Sequence, residues 1–241
     1  MRVLLLGGTA EGRALASALQ PRVEVISSLA GRVPDPALPP GAVRVGGFGG
    51  VDGLRNWLRE HRIDAVVDAT HPFAATMTAH AAEACAELQL PHLVLARPAW
   101  DPGAAIVVSS DTDAAERVAQ HGYSRVFLTT GRSAVAAYAA SDAWYLIRVV
   151  TAPDTAALPR RHLVLLSRGP YHYDDELHLL ESHRIDALIT KNSGGDMTRA
   201  KLDAAAALDI PVLMVARPPL PDGVATVGTV EEALAWVAAL G

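Results

Sequence analysis

Two stretches of this chain occur twice, in the same order, and that duplication limits the fold more than any other feature. His61-Arg-Ile-Asp64-Ala-Val-Val-Asp68-Ala-Thr-His71-Pro72 returns as His183-Arg-Ile-Asp186-Ala-Leu-Ile-Thr-Lys191-Asn-Ser-Gly194. Pro91-His-Leu-Val-Leu-Ala-Arg97-Pro98 returns as Pro211-Val-Leu-Met-Val-Ala-Arg217-Pro218, again about half a chain later. Each copy brackets one helix between two apolar runs, a βαβ unit with parallel strands and a right-handed crossover. The expectation is an α/β protein of two similar Rossmann-like domains with parallel sheets, residues 1–98 and 99–241. Pro98 and Pro102 punctuate the join near Ala99–Gly103.

Short β-rich runs, apolar on both faces, predict strands near 2–6, 22–26, 42–46, 64–69 and 92–96 in the first domain. Helices are expected near 10–19, 51–61 and 74–89. In the second domain the strands are expected near 105–109, 125–129, 144–150, 163–167, 186–190 and 212–216. Its helices are expected near 112–121, 132–140, 174–183, 196–208 and 229–240. Ligands of such open sheets bind beyond the carboxyl ends of the strands, so the residues just after each strand carry the functional reading.

After the first strand come Gly7-Gly8-Thr9-Ala10-Glu11-Gly12, a glycine turn opening a helix. Gly7 and Gly12 occupy the outer positions of the dinucleotide fingerprint and Thr9 replaces the middle glycine. Backbone N–H groups at such a helix start suit a pyrophosphate, although a turn of this kind also occurs without any ligand. After the second strand an NAD site places a carboxylate for the ribose; here stand Ser27, Ser28 and, further on, Arg32. Hydroxyls and a cation fit a 2′-phosphate, so NADPH is expected as cofactor ahead of NADH, the alternative being a solvated loop arginine. Asp68, Thr70, His71, Pro72 and Phe73 follow the fourth strand. Thr70, Pro72 and Phe73 are candidates for the nicotinamide side, and Asp68 and His71 for proton donation, with Thr70 as a plain helix cap the competing reading.

The second domain's strand ends are basic. Arg132 and Ser133 follow one strand, Arg168 another, Lys191-Asn192-Ser193-Gly194 a third and Arg217 a fourth, with Arg199 and Lys201 on the helix beyond Gly194. In a chain of net charge −5 such a cluster reads as a local pocket for a polyanion, phosphate or multiple carboxylates, although any single member suits a solvated rim. The overall charge offers nothing to nucleic acid or anionic lipid. No run is long enough to span a membrane. The lone Cys85 cannot form an internal disulfide, which points to the cytoplasm. Nine histidines without metal-ligand spacing argue against a metal site. There is neither a G-x-S-x-G elbow nor a P-loop.

Taken together, these segments resemble the precorrin-6A reductases of corrin (vitamin B12) biosynthesis and their cobalt-precorrin relatives, essentially end to end. The carrying motifs are Gly7–Gly12, Ser28-Leu29-Ala30-Gly31-Arg32, Asp68–Phe73 and Lys191-Asn192-Ser193-Gly194-Gly195. The Tyr-x-x-x-Lys pair of ordinary short-chain dehydrogenases is missing: Tyr138 and Tyr171 lead to Asp142 and Asp175. The resemblance implies a cytoplasmic oxidoreductase that transfers hydride from a reduced nicotinamide to precorrin-6A, a tetrapyrrole rich in carboxylates, giving precorrin-6B. It implies an active site in the cleft between the domains and neighbouring corrin-pathway enzymes for handover. Lys191 would then serve both substrate binding and catalysis. A cobalt-loaded substrate reduced with NADH, or an NADPH sensor without turnover, are the alternatives.

Overall fold

The computed structural model describes residues 1–31 and 38–241. The chain forms two compact units, one of residues 1–98 with 218–241 and one of residues 99–217. The first unit opens with β1 (Arg2–Leu6), α1 (Ala10–Leu19), β2 (Glu24–Leu29) and β3 (Ala42–Val45). It continues through α2 (Gly50–Glu60), β4 (Ala65–Asp68), α3 (Ala75–Leu88) and β5 (His92–Leu95). The second unit runs from β6 (Ile106–Val108) and α4 (Asp111–His121) through β7 (Arg125–Leu128) and β8 (Trp144–Val149) to β9 (Arg161–Leu166). After it come α5 (Tyr173–Ser182), β10 (Ala187–Lys191), α6 (Ala200–Ala207) and β11 (Val212–Val215). The chain then returns to the first unit for β12 (Ala225–Val227) and α7 (Val230–Ala238).

Both sheets have six parallel strands, in the orders β12-β5-β4-β1-β2-β3 and β6-β11-β10-β7-β8-β9. They are the same doubly wound arrangement with one exchange. β6 follows β5 in the chain but completes the second sheet, and β12 follows β11 but pairs with β5, Thr226 opposite Val94. The first unit holds residues 218–241 as well as residues 1–98, whereas the sequence places them with the second domain. The Ala-Arg-Pro triplet recurs at both passages, at Arg97-Pro98 and Arg217-Pro218. β12 was not expected from sequence: three residues with one half-buried side chain carry little hydrophobic signal.

Within β1, Val3 and Leu5 face α1 and α7, packing with Leu15, Leu19, Ala233 and Val237. Leu4 and Leu6 face α2 and α3, packing with Leu54, Leu58, Ala81 and Cys85. Alternation that is apolar on both sides is what a strand between two helix layers requires. In the second unit Phe127, Leu146 and Leu188 pack under Leu180 of α5 and Ala204 and Ala205 of α6. The segment expected as a helix near 132–140 is a 3₁₀ helix, Arg132–Tyr138, and the one near 196–208 is divided into a 3₁₀ turn, Asp196–Thr198, and α6.

The repeated His-Arg-Ile-Asp motif has a structural cause. Arg62 and Arg184 both adopt φ near +50°, turning the chain from a helix into a strand. The Asp64 carboxylate accepts the N–H of Arg2 at 2.6 Å, and Asp186 accepts those of Ser124 and Arg125 at 2.9 Å each. In return the Arg2 and Arg125 guanidiniums donate to the carbonyls of His61 and His183, both at 2.6 Å. Each motif thus ties the start of a central strand to the helix end beside it.

Candidate functional site

In the first unit the strand order reverses between β1 and β4, where α/β sheets hold ligands. The glycine turn lies at this point and is bonded on both flanks. The Gly7 N–H donates to the Ser28 carbonyl at 2.9 Å, and the Ala69 N–H to Leu6 at 2.8 Å. Thr9 is buried and caps α1: its Oγ accepts the Gly12 N–H at 3.0 Å and donates to the Ala69 carbonyl at 2.8 Å. A Cβ on Gly12 would stand 3.4 Å from that of Ala69 and 3.3 Å from Thr9 Oγ, so this glycine lets helix and strand approach closely. Gly8, at φ +116°, is exposed and has nothing within 4 Å of where a Cβ would lie. A fixed helix start with open space above an exposed glycine fits a pyrophosphate.

Glu11, in the first turn of α1, is bound by Arg97, whose Nη1 lies 3.1 and 2.9 Å from its two oxygens. Partial burial opposes ionisation of Glu11, but its own backbone N–H and Arg97 outweigh it and hold the carboxyl below its ordinary pKa. Thr9, Glu11, Thr70, Pro72, Leu95 and Arg97 line one small open pocket. Asp68 is 1% exposed. Its carboxylate accepts from the Thr70 N–H at 2.9 Å, the Thr70 hydroxyl at 2.6 Å and the Thr78 hydroxyl at 2.6 Å. That arrangement shapes the loop and leaves Asp68 poorly placed to exchange protons with a ligand. His71 is exposed, its Nδ1 accepting the Phe73 N–H at 3.2 Å.

Ser28 is buried at the end of β2, and its Oγ accepts from Nη1 of Arg44 at 2.7 Å. Arg32 lies outside the described residues. Arg44, to which the sequence reading gave no role, lies directly across from Ser28 on β3.

In the second unit the basic strand ends fall into two groups. Lys191 is half-buried and donates to the Thr130 carbonyl at 2.7 Å, which joins its loop to the turn before Arg132 and Ser133. Burial, opposed by nearby Asp111, lowers the Lys191 pKa. The Asn192 side chain makes a two-way pair with the Trp100 backbone, accepting its N–H at 2.9 Å and donating to its carbonyl at 3.0 Å. The Asn192 carbonyl accepts Arg217 Nε at 2.7 Å, and the Trp100 indole N–H reaches the Gly195 carbonyl at 3.0 Å. Lys191, Asn192 and Arg217 are therefore one assembly around the buried Ser193 and Gly194. Arg132, Ser133 and Arg168 are exposed, and Arg199, also exposed, pairs with Asp203 on its own helix at 3.3 Å.

Beneath that loop lies a buried charge cluster in which Lys201, expected on the basic rim, joins Arg148 and Glu176, to which the sequence assigns no role. Arg148 and Glu176 form a two-bonded pair, 5% and 3% exposed, with the Arg148 guanidinium 3.7 Å from the Tyr171 ring. Lys201 donates to the Thr198 carbonyl and sits 4.8 Å over the Trp100 ring. Burial, and then Arg148, bring its pKa down to about 7 against the pull of Glu176. Arg148 stands in a strand buried along nearly its whole length, and Glu176 and Lys201 turn inward from their helices, so that pairing and burial, not sequence pattern, identify the cluster. Among the described residues no group of His, Cys, Asp and Glu is placed to hold a metal ion, and no helix is long and apolar enough to cross a membrane.

The family model for precorrin-6x reductase CbiJ/CobK matches residues 2–238. A precorrin-6A reductase of Mycobacterium tuberculosis is 73% identical over 99% of this chain and 98% of its own length. One from Rhodococcus erythropolis is 54% identical with the same coverage. A cobalt-precorrin-6A reductase of Methanothermobacter thermautotrophicus is 32% identical over 90% of this chain and 77% of its own. Among solved structures, a CobK precorrin-6A reductase superposes with a TM-score of 0.91 at 35% identity, covering 100% of this chain and 97% of that one.

Proposed function

This chain belongs to the precorrin-6x reductase family, and from that membership we propose that it reduces precorrin-6A to precorrin-6B with NADPH as hydride source. The observation that carries the proposal is identity of 73% along nearly the whole of both chains with an enzyme of that name. The metal-free substrate is favoured over the cobalt form because identity falls to 32% for the relative named for the latter.

The first unit is assigned the cofactor. The backbone of Gly7, Gly8, Thr9, Ala10, Glu11 and Gly12 would hold the pyrophosphate, Ser28 and Arg32 the 2′-phosphate, and Thr70, Pro72 and Phe73 the nicotinamide side. When bound, the nicotinamide supplies the hydride. The Ser27–Arg32 stretch, with hydroxyls and an arginine where an NAD site places a carboxylate, supports NADPH over NADH. Asp68 acts by holding the Thr70 loop in place, and His71, exposed beside it, is the candidate proton donor.

The second unit is assigned the macrocycle. Lys191 and Arg217, each donating to a backbone carbonyl, stand at the ends of β10 and β11, where side-chain carboxylates of the substrate would be received. Asn192, Ser193 and Gly194 shape that loop, while Arg132, Ser133, Arg168 and Arg199 supply an outer, solvated rim. Fixing an electron-poor conjugated ring against the hydride source supplies the rate through orientation, with no covalent step required of the protein. The buried, reduced Cys85 and the reduced cofactor favour the cytoplasm, where neighbouring corrin-pathway enzymes would deliver and receive the macrocycle.

Loss of nicotinamide absorbance on mixing enzyme, NADPH and precorrin-6A tests this directly. Parallel reactions with NADH and with the cobalt-loaded macrocycle should run more slowly. No oxidation with any of the four combinations would overturn the proposal.

A further inference from the structure

Arg44 is a partly buried cation. Among the described residues no acidic side chain pairs with it, whereas Arg2, Arg55 and Arg97 of the same unit each face one. Removing a guanidinium partly from water without a counter-charge is costly, and a site that retains one is adapted to an anion that arrives later.

Its position says which anion. Arg44 pairs in register with Ser28, on the β2–β3 side of the glycine turn. Ser28 in turn receives the Gly7 N–H on its carbonyl, so turn, serine and arginine form one continuous hydrogen-bonded row. The guanidinium is held before any ligand comes. Nη1 donates to Ser28 Oγ at 2.7 Å and to the Gly46 carbonyl at 3.0 Å, and Nη2 to the Gly47 carbonyl at 3.0 Å. Its flat face rests 3.7 Å from the Phe48 ring. Those three bonds leave Nε–H and one Nη2–H of the five guanidinium donors for a ligand. Two N–H donors on a rigid plane suit phosphate oxygens, for which arginine is the better match than lysine.

We propose that Arg44 is the residue that recognises the 2′-phosphate of NADPH and so sets the preference for NADPH over NADH. The inference rests on the assignment of the first unit to that cofactor, and it adds to Ser28 and Arg32 a cation on β3 that decides the preference. Phe48 stacks beneath the cation, and the Gly46–Gly47 carbonyls align it. The glycine run after β3 is explained by this: Gly46 adopts φ +125°, a conformation that turns its carbonyl towards the guanidinium at little cost only without a side chain.

The test is binding of adenosine 2′,5′-bisphosphate and of 5′-AMP, by calorimetry, to the wild-type chain and to Arg44→Met, Arg44→Lys and Arg32→Met. The wild type should bind the bisphosphate at least about tenfold more tightly than 5′-AMP, as a charge-assisted bidentate contact implies. Arg44→Met should abolish that difference and leave 5′-AMP binding unchanged, Arg44→Lys should keep part of it, and Arg32→Met should keep most of it. Phenylglyoxal labelling of the wild type, read by mass spectrometry, needs no variant. The bisphosphate should protect Arg44 and 5′-AMP should not. Retention of the difference in Arg44→Met, or equal protection by both ligands, overturns the inference. A wild type that does not distinguish the ligands overturns the NADPH assignment itself.

Discussion

Lys201 should oppose folding at neutral pH, and the opposition should fade as the solution is made alkaline. The perturbation is Lys201→Met, which keeps an unbranched apolar stem against Trp100 and removes the titrating group. In the unfolded chain this amine titrates at 10.5; in place, buried beside Arg148, it does so at about 7. The folded pKa is the lower one, so between those values the unfolded chain binds the extra proton and stability rises with pH. Linkage gives a penalty from this one group of about 4 kcal/mol at pH 7 and about 2 kcal/mol at pH 9. The lost hydrogen bond to the Thr198 carbonyl adds a cost to the variant of roughly 1 kcal/mol. Urea midpoints of both proteins at pH 7, 8 and 9, followed by tryptophan fluorescence, measure the difference while other titrating groups cancel. The variant's advantage should shrink by about 2 kcal/mol across that range. A difference that stays flat would mean Lys201 keeps its proton in the folded unit, with Glu176 dominating its surroundings.

Glu176→Gln should destabilise the second unit by roughly 3–5 kcal/mol, since it leaves Arg148 buried without its counter-charge; the double variant with Lys201→Met should recover part of the loss in the same urea assay. Thr9→Ala removes the cap of α1 and the tie to Ala69, at a cost of about 1–2 kcal/mol in urea and with weaker binding of NADPH. Asn192→Ala frees the loop from Trp100 and should raise the KM for the macrocycle while leaving NADPH affinity unchanged; equal loss of both would refute its place in the substrate loop. Cys85, buried on α3 with its pKa pushed up to about 12 by burial and then Asp68, should resist thiol reagents at pH 8 until the chain unfolds, which a labelling time course in urea would reveal.

The parallel sheets, most element boundaries and the loops at the strand ends were legible in the sequence because strands buried on both faces leave unbroken apolar runs and glycine marks the turns between them. What escaped was of two kinds. The return of residues 218–241 to the first sheet is a matter of partner choice, and β12 is too short and exposed to declare a partner by composition. Arg44, Arg97 and the Arg148–Glu176–Lys201 cluster look like ordinary surface charges in one dimension, and only burial and pairing separate them from residues such as Arg199. Asp68 and Arg217 illustrate the middle case. Their positions were read from the strand ends, but their geometry, one carboxylate bonded to its own loop and one guanidinium held on Asn192, was not.

The exchange of β6 and β12 has a consequence for biosynthesis. Residues 99–217 form an uninterrupted stretch, so that half can close as soon as it clears the ribosome. The first unit cannot: its sheet stays one strand short, and the apolar face that α1 shares with α7 stays partly bare, until residues 218–241 emerge. A nonsense codon near residue 217 would therefore harm the half made first, leaving a nascent chain whose earliest segment waits longest for a chaperone's release.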